Sequence, residues 1–405
     1  MKKTIFILAI FVIVNAESSG QRQAGNDDFI TVDLTKKYST KKELVLQDFM
    51  DVEYIKLETN DDFLNQGFVM DVGKNIILVK NLIDDGDIFV YDRSGKALRK
   101  INHKGQFVSK EYTQITSITL DEDNNEIFVS DHYTQIILVY DLNGKFKRSF
   151  KHKKNSGDPF KPIFYTEIYN YDKNNLICYD QRNETSSRSF VLISKKDGNI
   201  TREFKIPFKE NISLTVRSKP VIIVESATKS TAQSFSATPG RNRSIILFKG
   251  NWMLLDLSSD TVYTLLPDYN LHPLFVRTPA IHSMSPKVFL LLSFISDRYY
   301  FMDAMKFEYD MKTRTGFPST PFLYDKQERE FFSYTVYNGD YSTKKEVKMS
   351  ALRPVNHEIE SLQCLEAYQL VDDYKAGILK GKLKEIAATL DEEDNPVIML
   401  VKHRK

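Results

Sequence analysis

One eight-residue motif occurs in two similar copies in this chain of 405 residues. It reads FVYDRSGK from Phe89 and LVYDLNGK from Leu138, and its two aspartates, Asp92 and Asp141, are 49 residues apart. Around each copy the order is the same: apolar strand, acidic turn, apolar strand, glycine turn and basic strand. A period of about 40–50 residues with several strands per unit is typical of a β-propeller, in which each repeat forms one blade. The repeat therefore predicts an all-β fold.

Three blades can be aligned on this repeat, over 75–101, 115–150 and 167–204. Their hairpin turns contain Gly95, Gly144 and Gly198, each preceded by a Ser, Asn or Asp that tolerates a tight turn. Successive strands are therefore expected to pair as antiparallel meanders of four. Two less regular repeats follow, and a Ser/Thr-rich stretch at 226–240 is predicted to be a surface loop.

The two ends of the chain are expected to form one closing blade. An open ring would leave unpaired strand edges, so we place the strands predicted at 30–34 and 52–57 beside a closing strand at about 395–402. Before that strand, about 358–390, the apolar residues take a helical period and predict a short helical insertion. Five repeats and the composite blade predict a six-bladed β-propeller of four-stranded antiparallel blades.

The N-terminus has the pattern of a secretory signal peptide. Lys2 and Lys3 precede an apolar run of about ten residues, which ends near small residues at Ala16. That run is too short to span a bilayer, which needs about twenty residues. We therefore expect a signal peptide at 1–16, a propeller at 17–405, export to the periplasm or cell surface, and no transmembrane segment after cleavage.

Charge and cysteine content exclude several classes of protein. The formal net charge is +2, from 56 basic and 54 acidic residues, so no overall field favours nucleic acid, and we expect no nucleic-acid partner. The two cysteines, Cys178 and Cys364, cannot make a disulfide framework and are expected to be free, buried thiols in separate blades. We expect a monomer.

The sequence resembles a large family of exported bacterial six-bladed β-propellers of the TolB and NHL type that have no assigned activity. The resemblance rests on segments 52–58 and 259–263, the Tyr-Asp-x-x-Gly-Lys hairpins and the ending at 390–397. Many members are lipoproteins with a cysteine after the signal peptide, whereas this chain continues Glu-Ser-Ser-Gly after Ala16. Of the loop that members carry between the first two blades, four residues match: Gly105, Gln106, Glu111 and Tyr112. The resemblance implies a fold and a compartment but no chemistry.

Motifs for catalysis or metal binding are weak. Asp121, Asp123 and Asn125 have the spacing of the start of a calcium loop, but Glu126 stands where glycine is needed and His132 where glutamate is needed. The sequence has no Gly-x-Ser-x-Gly elbow, no phosphate-binding glycine loop and no HExxH pair. We therefore predict no metal site and no cofactor, with calcium as the alternative.

A polar ring at one end of the channel is the best candidate site. In each blade the first-to-second and third-to-fourth strand connections share one end, the turn face, and the other connections share the opposite end, the loop face. Asn81, Asp131 and Asp180 recur at spacings of 50 and 49 where loop-face connections begin. The candidate ligand-binding residues are these three with His132, Arg182, Glu111 and Tyr112. The alternative is that the three short polar side chains only bond loop amides.

Two functions follow from this reading. The first is an exported, noncatalytic binding or scaffold protein that recognises a glycan, peptide or protein partner through one face. The second is a hydrolase or lyase that acts at the channel, with or without a divalent cation. Convergence of Asn81, Asp131 and Asp180 on one point would favour the enzyme, whereas side chains turned into their own loops would favour the binder. Grouped exposed aromatics, for example Tyr133, would indicate sugar stacking.

Overall fold

The computed structural model describes residues 29–105, 110–152, 165–180, 190–218, 221–226, 229–233, 235–239, 243–351, 355–356 and 359–404. Within them the chain forms six small, mainly antiparallel sheets in a six-bladed propeller arrangement, as the repeat predicts. The expected signal peptide at 1–16 and one candidate site residue, Arg182, lie outside the described residues.

The chain enters the fold as a strap that reaches three blades in turn. Its elements are β1 (Ile30–Asp33), β2 (Lys41–Val45), the one-turn helix α1 (Leu46–Phe49) and β3 (Asp51–Lys56). β1 and β2 each join a later sheet as an outer fifth strand, in parallel with their neighbours, whereas β3 joins the last sheet in antiparallel pairing. The sequence did not distinguish these three destinations.

Blades one to three are four-stranded antiparallel meanders. Blade one is β4 (Phe68–Val72), β5 (Ile76–Lys80), β6 (Asp87–Asp92) and β7 (Ala97–Asn102). Blade two is β8 (Ile115–Asp121), β9 (Glu126–Asp131), β10 (Ile136–Tyr140) and β11 (Phe146–Lys151). Blade three is β12 (Tyr165–Asn170), β13 (Asn175–Asp180), β14 (Phe190–Ser194) and β15 (Ile200–Phe204). All three contain the strands expected from the repeat.

Two short strand pairs lie between blades three and four in sequence, one enclosing the other. β16 (Val216–Arg217) pairs with β19 (Ser236–Ala237), and β17 (Val221–Ser226) pairs with β18 (Lys229–Gln233). The prediction of a surface loop at 226–240 was therefore wrong in part, because backbone pairing continues through β18 and β19.

Blades four and five have five strands each, because the strap supplies one. Blade four is β20 (Ile245–Phe248), β21 (Asn251–Leu255), β22 (Thr261–Leu265), β23 (Leu271–Thr278) and β1. Blade five is β24 (Val288–Ile295), β25 (Tyr299–Lys306), β28 (Ser319–Asp325), β29 (Glu330–Tyr337) and β2. A two-stranded hairpin, β26 (Tyr309–Asp310) and β27 (Thr315–Gly316), extends from blade five. Short 3-10 helices occupy Ile281–Ser283 and Met349–Ala351.

Blade six closes the ring with three strands from both ends of the chain. They are β30 (Ile359–Leu365), β31 (Val397–Lys402) and β3, with β31 in the middle. Helices α2 (Ala367–Lys375) and α3 (Gly381–Ala387) lie between β30 and β31 in sequence. Two expectations need correction. β1 belongs to blade four and not to the closing blade, and the helical insertion predicted from 358 begins with a strand, so helix starts only at Ala367.

The hydrophobic core is divided among the blade interfaces. Six clusters of buried residues occupy the six contacts between neighbouring blades, and α2 and α3 pack onto the one between blades five and six. Because each blade buries both faces, strands such as Ile76–Lys80 are apolar at almost every position. Neither cysteine forms a disulfide; Cys178 is buried as predicted, whereas Cys364 is only half-buried.

Candidate functional site

Asp131 holds two loops together at the loop face. Its side chain is 0% exposed, and Oδ1 accepts hydrogen bonds from Thr113 N (2.8 Å), Thr113 Oγ1 (2.7 Å) and Gln114 N (2.7 Å). Oδ2 accepts from Thr134 N (2.9 Å) and Thr134 Oγ1 (2.5 Å). Burial alone would raise the pKa of this carboxyl, but the hydrogen bonds outweigh burial and lower the pKa. All five donors come from the adjoining loops.

Asn81 is also engaged by its own surroundings. Its Oδ1 accepts from Gln66 N (2.9 Å), and its Nδ2 donates to Asp85 Oδ2 (2.6 Å). Asp180 is buried at the end of β13. The bonds of Asn81 and Asp131 are the arrangement that the sequence analysis associated with a binding protein rather than with a metal-dependent enzyme.

The other described candidates are spread over the same face. Tyr112 is fully buried; its hydroxyl donates to Gly86 O (2.6 Å) and accepts from His103 N (2.9 Å), and burial raises its pKa. Glu111 is half-buried. His132 is also half-buried and meets the ring of Tyr133, which is 68% exposed, edge to face at 5.0 Å. A ligand role for these candidate residues stays a prediction.

A large cavity among the described residues opens at the turn face. Its volume is about 690 Å³, and it lies at the opposite end of the β8–β9 ladder from Asp131. Ligand sites in proteins are typically clefts of about 300–1,000 Å³. Five blades contribute to its wall: 71–74 and Arg93 from blade one, 120–124 from blade two, 169–173 from blade three, Leu247 and Trp252 from blade four, and Val355, Asn356 and Lys402 from blade six.

Carboxylates on the blade one and blade two side of the cavity hold neighbouring backbone. The Glu122 side chain accepts hydrogen bonds from Lys74 N (2.7 Å), Asn75 N (3.0 Å) and Ile76 N (2.9 Å), so it fixes the first turn of blade one. Asp71 Oδ2 in turn accepts from Leu120 N (2.8 Å). These carboxylates therefore act as ties between blades.

A buried ion pair ties blade two to blade three below the same rim. Lys195 Nζ donates to Asp121 Oδ2 (2.5 Å) and to Asp172 O (2.5 Å), and both charged side chains are almost fully buried. Asn124 Nδ2 donates to Asp121 Oδ2 (2.7 Å) and Lys173 O (2.9 Å). Among the described residues, no group of three His, Cys, Asp or Glu side chains has the arrangement of a metal site.

The blade three and blade four side of the cavity is aromatic. The ring of Tyr171 lies 5.5 Å from Trp252 and 6.4 Å from Tyr269, and Tyr169 lies 6.3 Å from Trp252. The guanidinium of Arg202 lies 4.0 Å from the Tyr269 ring centre, a cation–π contact. Trp252 is only 4% exposed, whereas Tyr169 and Tyr171 are half-buried, so the two tyrosines supply most of the accessible aromatic surface of this wall.

Two polar atoms of the lining residues are buried without a partner. Arg93 Nη1 and Asn170 Oδ1 make no hydrogen bond to any group in the described part of the chain. Arg93 reaches Glu53 through Nη2 (3.4 Å), and Lys402 binds the same carboxylate at 2.9 Å. A donor and an acceptor thus lie unsatisfied beside one cavity, and such atoms normally find a protein, water or ligand partner.

Sequence reasoning missed this cavity, although one signal was available. The bonds from Asp71 to Leu120, from Thr119 to Ile168 and from Asn124 to Lys173 all join residues 49 apart, the period of the repeat. The aromatic wall has no such signal, because Tyr171 and Trp252 come from different blades with no shared motif.

Within the described residues, none of the helices combines the length and the apolar character that a bilayer crossing requires. The sequence pattern of a family described as "Domain of unknown function (DUF4934)" matches residues 29–402. No protein of curated function matches the sequence.

Three solved structures show how far the similarity extends. A protein of Bacteroides fragilis described as exported has a TM-score of 0.55 at 17% identity, covering 93% of this chain and 100% of its own. A DUF4221 family member from Bacteroides vulgatus has a TM-score of 0.45 at 7% identity, with coverages of 88% and 99%. Virginiamycin B lyase from Staphylococcus aureus has a TM-score of 0.36 at 10% identity, with coverages of 88% and 100%. The first supports the propeller fold alone, and the other two are too distant to support an argument about activity.

Proposed function

The chain belongs to the DUF4934 family of unknown function, and we propose that it is an exported, noncatalytic binding protein that takes its ligand in the turn-face cavity. One observation carries the proposal: five blades build a single cavity of about 690 Å³ that has an aromatic wall facing a polar one. Apolar and aromatic surface with a few placed polar groups is the usual character of a small-molecule site. The basic N-terminus and the fold of the exported Bacteroides fragilis protein support export to the periplasm or cell surface.

Binding rather than catalysis is favoured by the state of the carboxylates. A carboxyl group that acts as a general acid or base must be free to exchange a proton with the substrate. Here Glu122 accepts three backbone N–H groups and Asp121 is paired with Lys195, so each is occupied in holding blades together. We propose accordingly that the ligand binds without a metal cofactor, and that Asp121 and Asp123 do not form a calcium site.

The test is a thermal unfolding screen of the purified protein against saccharides, short peptides, nucleosides and divalent cations, with and without EDTA. A ligand at a hundredfold excess over its dissociation constant stabilises the folded state by about 2.7 kcal/mol. Unfolding entropy of about 2.1 cal/mol/K per residue makes that a rise of about 3 °C for a chain of this length. We expect at least one organic ligand to give such a rise, unchanged by EDTA.

Two variants locate the site. Lys173→Trp adds bulk at the exposed rim of the cavity, and Tyr133→Ala removes the most exposed aromatic of the loop face. The cavity variant should lose the stabilisation, and the loop-face variant should keep it. The opposite pattern would move the site to the loop face. A stabilising cation whose effect is lost on Asp123→Ala, or turnover of a bound ligand seen by mass spectrometry, would contradict the noncatalytic, metal-free proposal.

A further inference from the structure

The chemistry of the cavity wall narrows the class of ligand. Twelve of the twenty lining residues carry charged or amide side chains, and the rest are mainly aliphatic or aromatic. The polar residues come mostly from blades one, two and three, and the aromatic rings from blades three and four. A ligand that fits both walls needs an apolar face for the rings and many hydrogen-bonding groups around its edge.

A peptide held by backbone pairing does not fit this site. Strand addition needs unpaired N–H and C=O groups along a sheet edge. Around this cavity, side chains of neighbouring blades already occupy such groups on the innermost strands. Asp71 accepts from Leu120 N, and Thr119 Oγ1 donates to Ile168 O. Asn356 Nδ2 likewise donates to Val72 O.

A strongly charged ligand does not fit either. Three of the four basic residues in the lining are already in ion pairs: Lys74 with Asp123, and Arg93 and Lys402 with Glu53. Among the acidic side chains, Asp71 and Glu122 accept backbone N–H groups and Asp121 pairs with Lys195, as described above. Asp123 is paired with Lys74, and Asp172 Oδ1 accepts from Asn174 N and Asn175 N. With five acidic and four basic side chains in its lining, the cavity offers no strong net charge to an anionic or cationic ligand.

Hydroxyl groups suit the polar atoms that remain. Asn170 Oδ1 is a buried acceptor without a partner and Arg93 Nη1 is a buried donor without one, within the described residues. A hydroxyl both donates and accepts, so small side-chain rotations would let one class of ligand bond both atoms. Asn170 immediately precedes Tyr171, which is half-buried and forms the aromatic wall together with Trp252, whose ring lies 5.5 Å away.

Resting on the proposed function, we propose that the ligand of this cavity is a neutral carbohydrate, one pyranose ring of which stacks on Tyr171. The C–H face of the sugar covers the tyrosine ring, and its hydroxyls reach Asn170 and the polar wall. The ring of Trp252 packs against Tyr171 at 5.5 Å and helps to hold it in position.

The chain carries its own probe for this proposal. Trp252 is the single tryptophan of the sequence and lies in the cavity wall. The fluorescence of Trp252 is therefore titrated with neutral hexasaccharides of glucose, mannose, xylose, galactose and N-acetylglucosamine. Oligogalacturonate and a random hexapeptide pool are the charged and the peptide comparisons. Calorimetry checks the affinities. At least one neutral hexasaccharide should change the emission saturably.

Variants separate stacking from folding. Tyr171→Phe keeps the ring and should retain affinity within about twofold, whereas Tyr171→Ala should weaken binding by about tenfold or more, a loss of about 1.4 kcal/mol. Tyr374→Ala, at a partly exposed tyrosine on α2, is the matched control and should bind normally. Circular dichroism and the thermal midpoint establish that each variant is folded.

The outcomes distinguish the two proposals. Saturable binding of the peptide pool or of oligogalacturonate alone, lost in Lys173→Trp, would overturn the neutral carbohydrate and leave a binding cavity. Carbohydrate binding that is equal in Tyr171→Ala and Tyr171→Phe would overturn the stacking role. No response to any of these probes, together with no thermal shift in the wider screen, would overturn both the carbohydrate and the binding cavity.

Discussion

Replacing Asp131 by alanine should destabilise the protein by about 3–5 kcal/mol, the usual cost of removing one partner from a buried, hydrogen-bonded charged group. The substitution leaves three backbone N–H groups, those of Thr113, Gln114 and Thr134, without the carboxylate they bind at 2.7–2.9 Å. At about 1–1.5 kcal/mol for each lost bond, these three account for most of the loss. The two threonine hydroxyls can turn to water and should add little.

The assay is urea unfolding at neutral pH, followed by circular dichroism, with Asp123→Ala as the matched control. The Asp123 side chain is 81% exposed and bonds only Lys74 in the described structure. The same substitution there should therefore change the free energy of unfolding by no more than about 0.5 kcal/mol. For Asp131→Ala, about 3 kcal/mol corresponds to a fall in melting temperature of about 4 °C at this chain length. Since hydrogen bonds lower the pKa of Asp131, its contribution is present above the unfolded pKa and should fade as the pH falls into the acid range.

One result would refute this reasoning. Suppose the free energy of unfolding of Asp131→Ala lies within about 1 kcal/mol of the wild type, but the variant no longer binds a ligand that stabilises the wild type. Asp131 would then act in ligand binding, and its five hydrogen bonds would not be needed for stability. The loop face would then be the site that the sequence suggested. If instead the variant is destabilised and its folded fraction binds the ligand normally, Asp131 is structural.

Three further changes test other parts of the fold. Gly95→Ala should lower the free energy of unfolding by about 3 kcal/mol or more, because Gly95 has φ +90° and an added Cβ would lie 2.0 Å from Lys56 O. The control is Gly250→Ala, at φ +83° with nothing within 4 Å, which should lower it by only about 1 kcal/mol in the same urea assay. Burial raises the pKa of Glu167 to about 7, so the folded state binds this proton more tightly than the unfolded state does. The free energy of unfolding should therefore fall by about 2–3 kcal/mol from pH 5 to pH 8. Glu167→Gln should flatten this pH dependence, and an unchanged dependence would show that another group titrates. Deleting 397–402 removes the middle strand of blade six and should leave no monomeric folded species in size-exclusion chromatography, whereas recovery of a cooperative monomer would show that the ring does not need closure.

The blades could be predicted from the sequence because their signal is local and repeated. Asp92 and Asp141 begin equivalent glycine turns, so the strands on either side of them could be aligned before any pairing was known. The destination of β1 could not be predicted in this way. Ile30 pairs with Phe275, and no local pattern in either segment indicates that the two strands pair with each other.

The candidate site shows the same division. Asn81 and Asp131 were found because they recur with the repeat, and recurrence marks what every blade needs, here the fastening of a loop. A ligand site in a propeller is the exception to the repeat, since the channel is shared and each blade adds a different side chain. Tyr171 and Trp252 meet only after the ring has formed, so periodicity could not bring them together.

The strap has a consequence for the order in which this protein can be made. Lys41 pairs with Ser333 and Asp51 with Lys402, so these N-terminal strands leave the ribosome or a translocation pore long before their partners are made. Contacts between residues so far apart in sequence are slow to form, because chain entropy opposes them until late in folding. Blades one to three contain only their own strands and can form early, whereas blades four, five and six each need the beginning of the chain. The N-terminal strands therefore delay half of the ring, because blades four, five and six are each complete only after the strand that pairs with β1, β2 or β3 has been made.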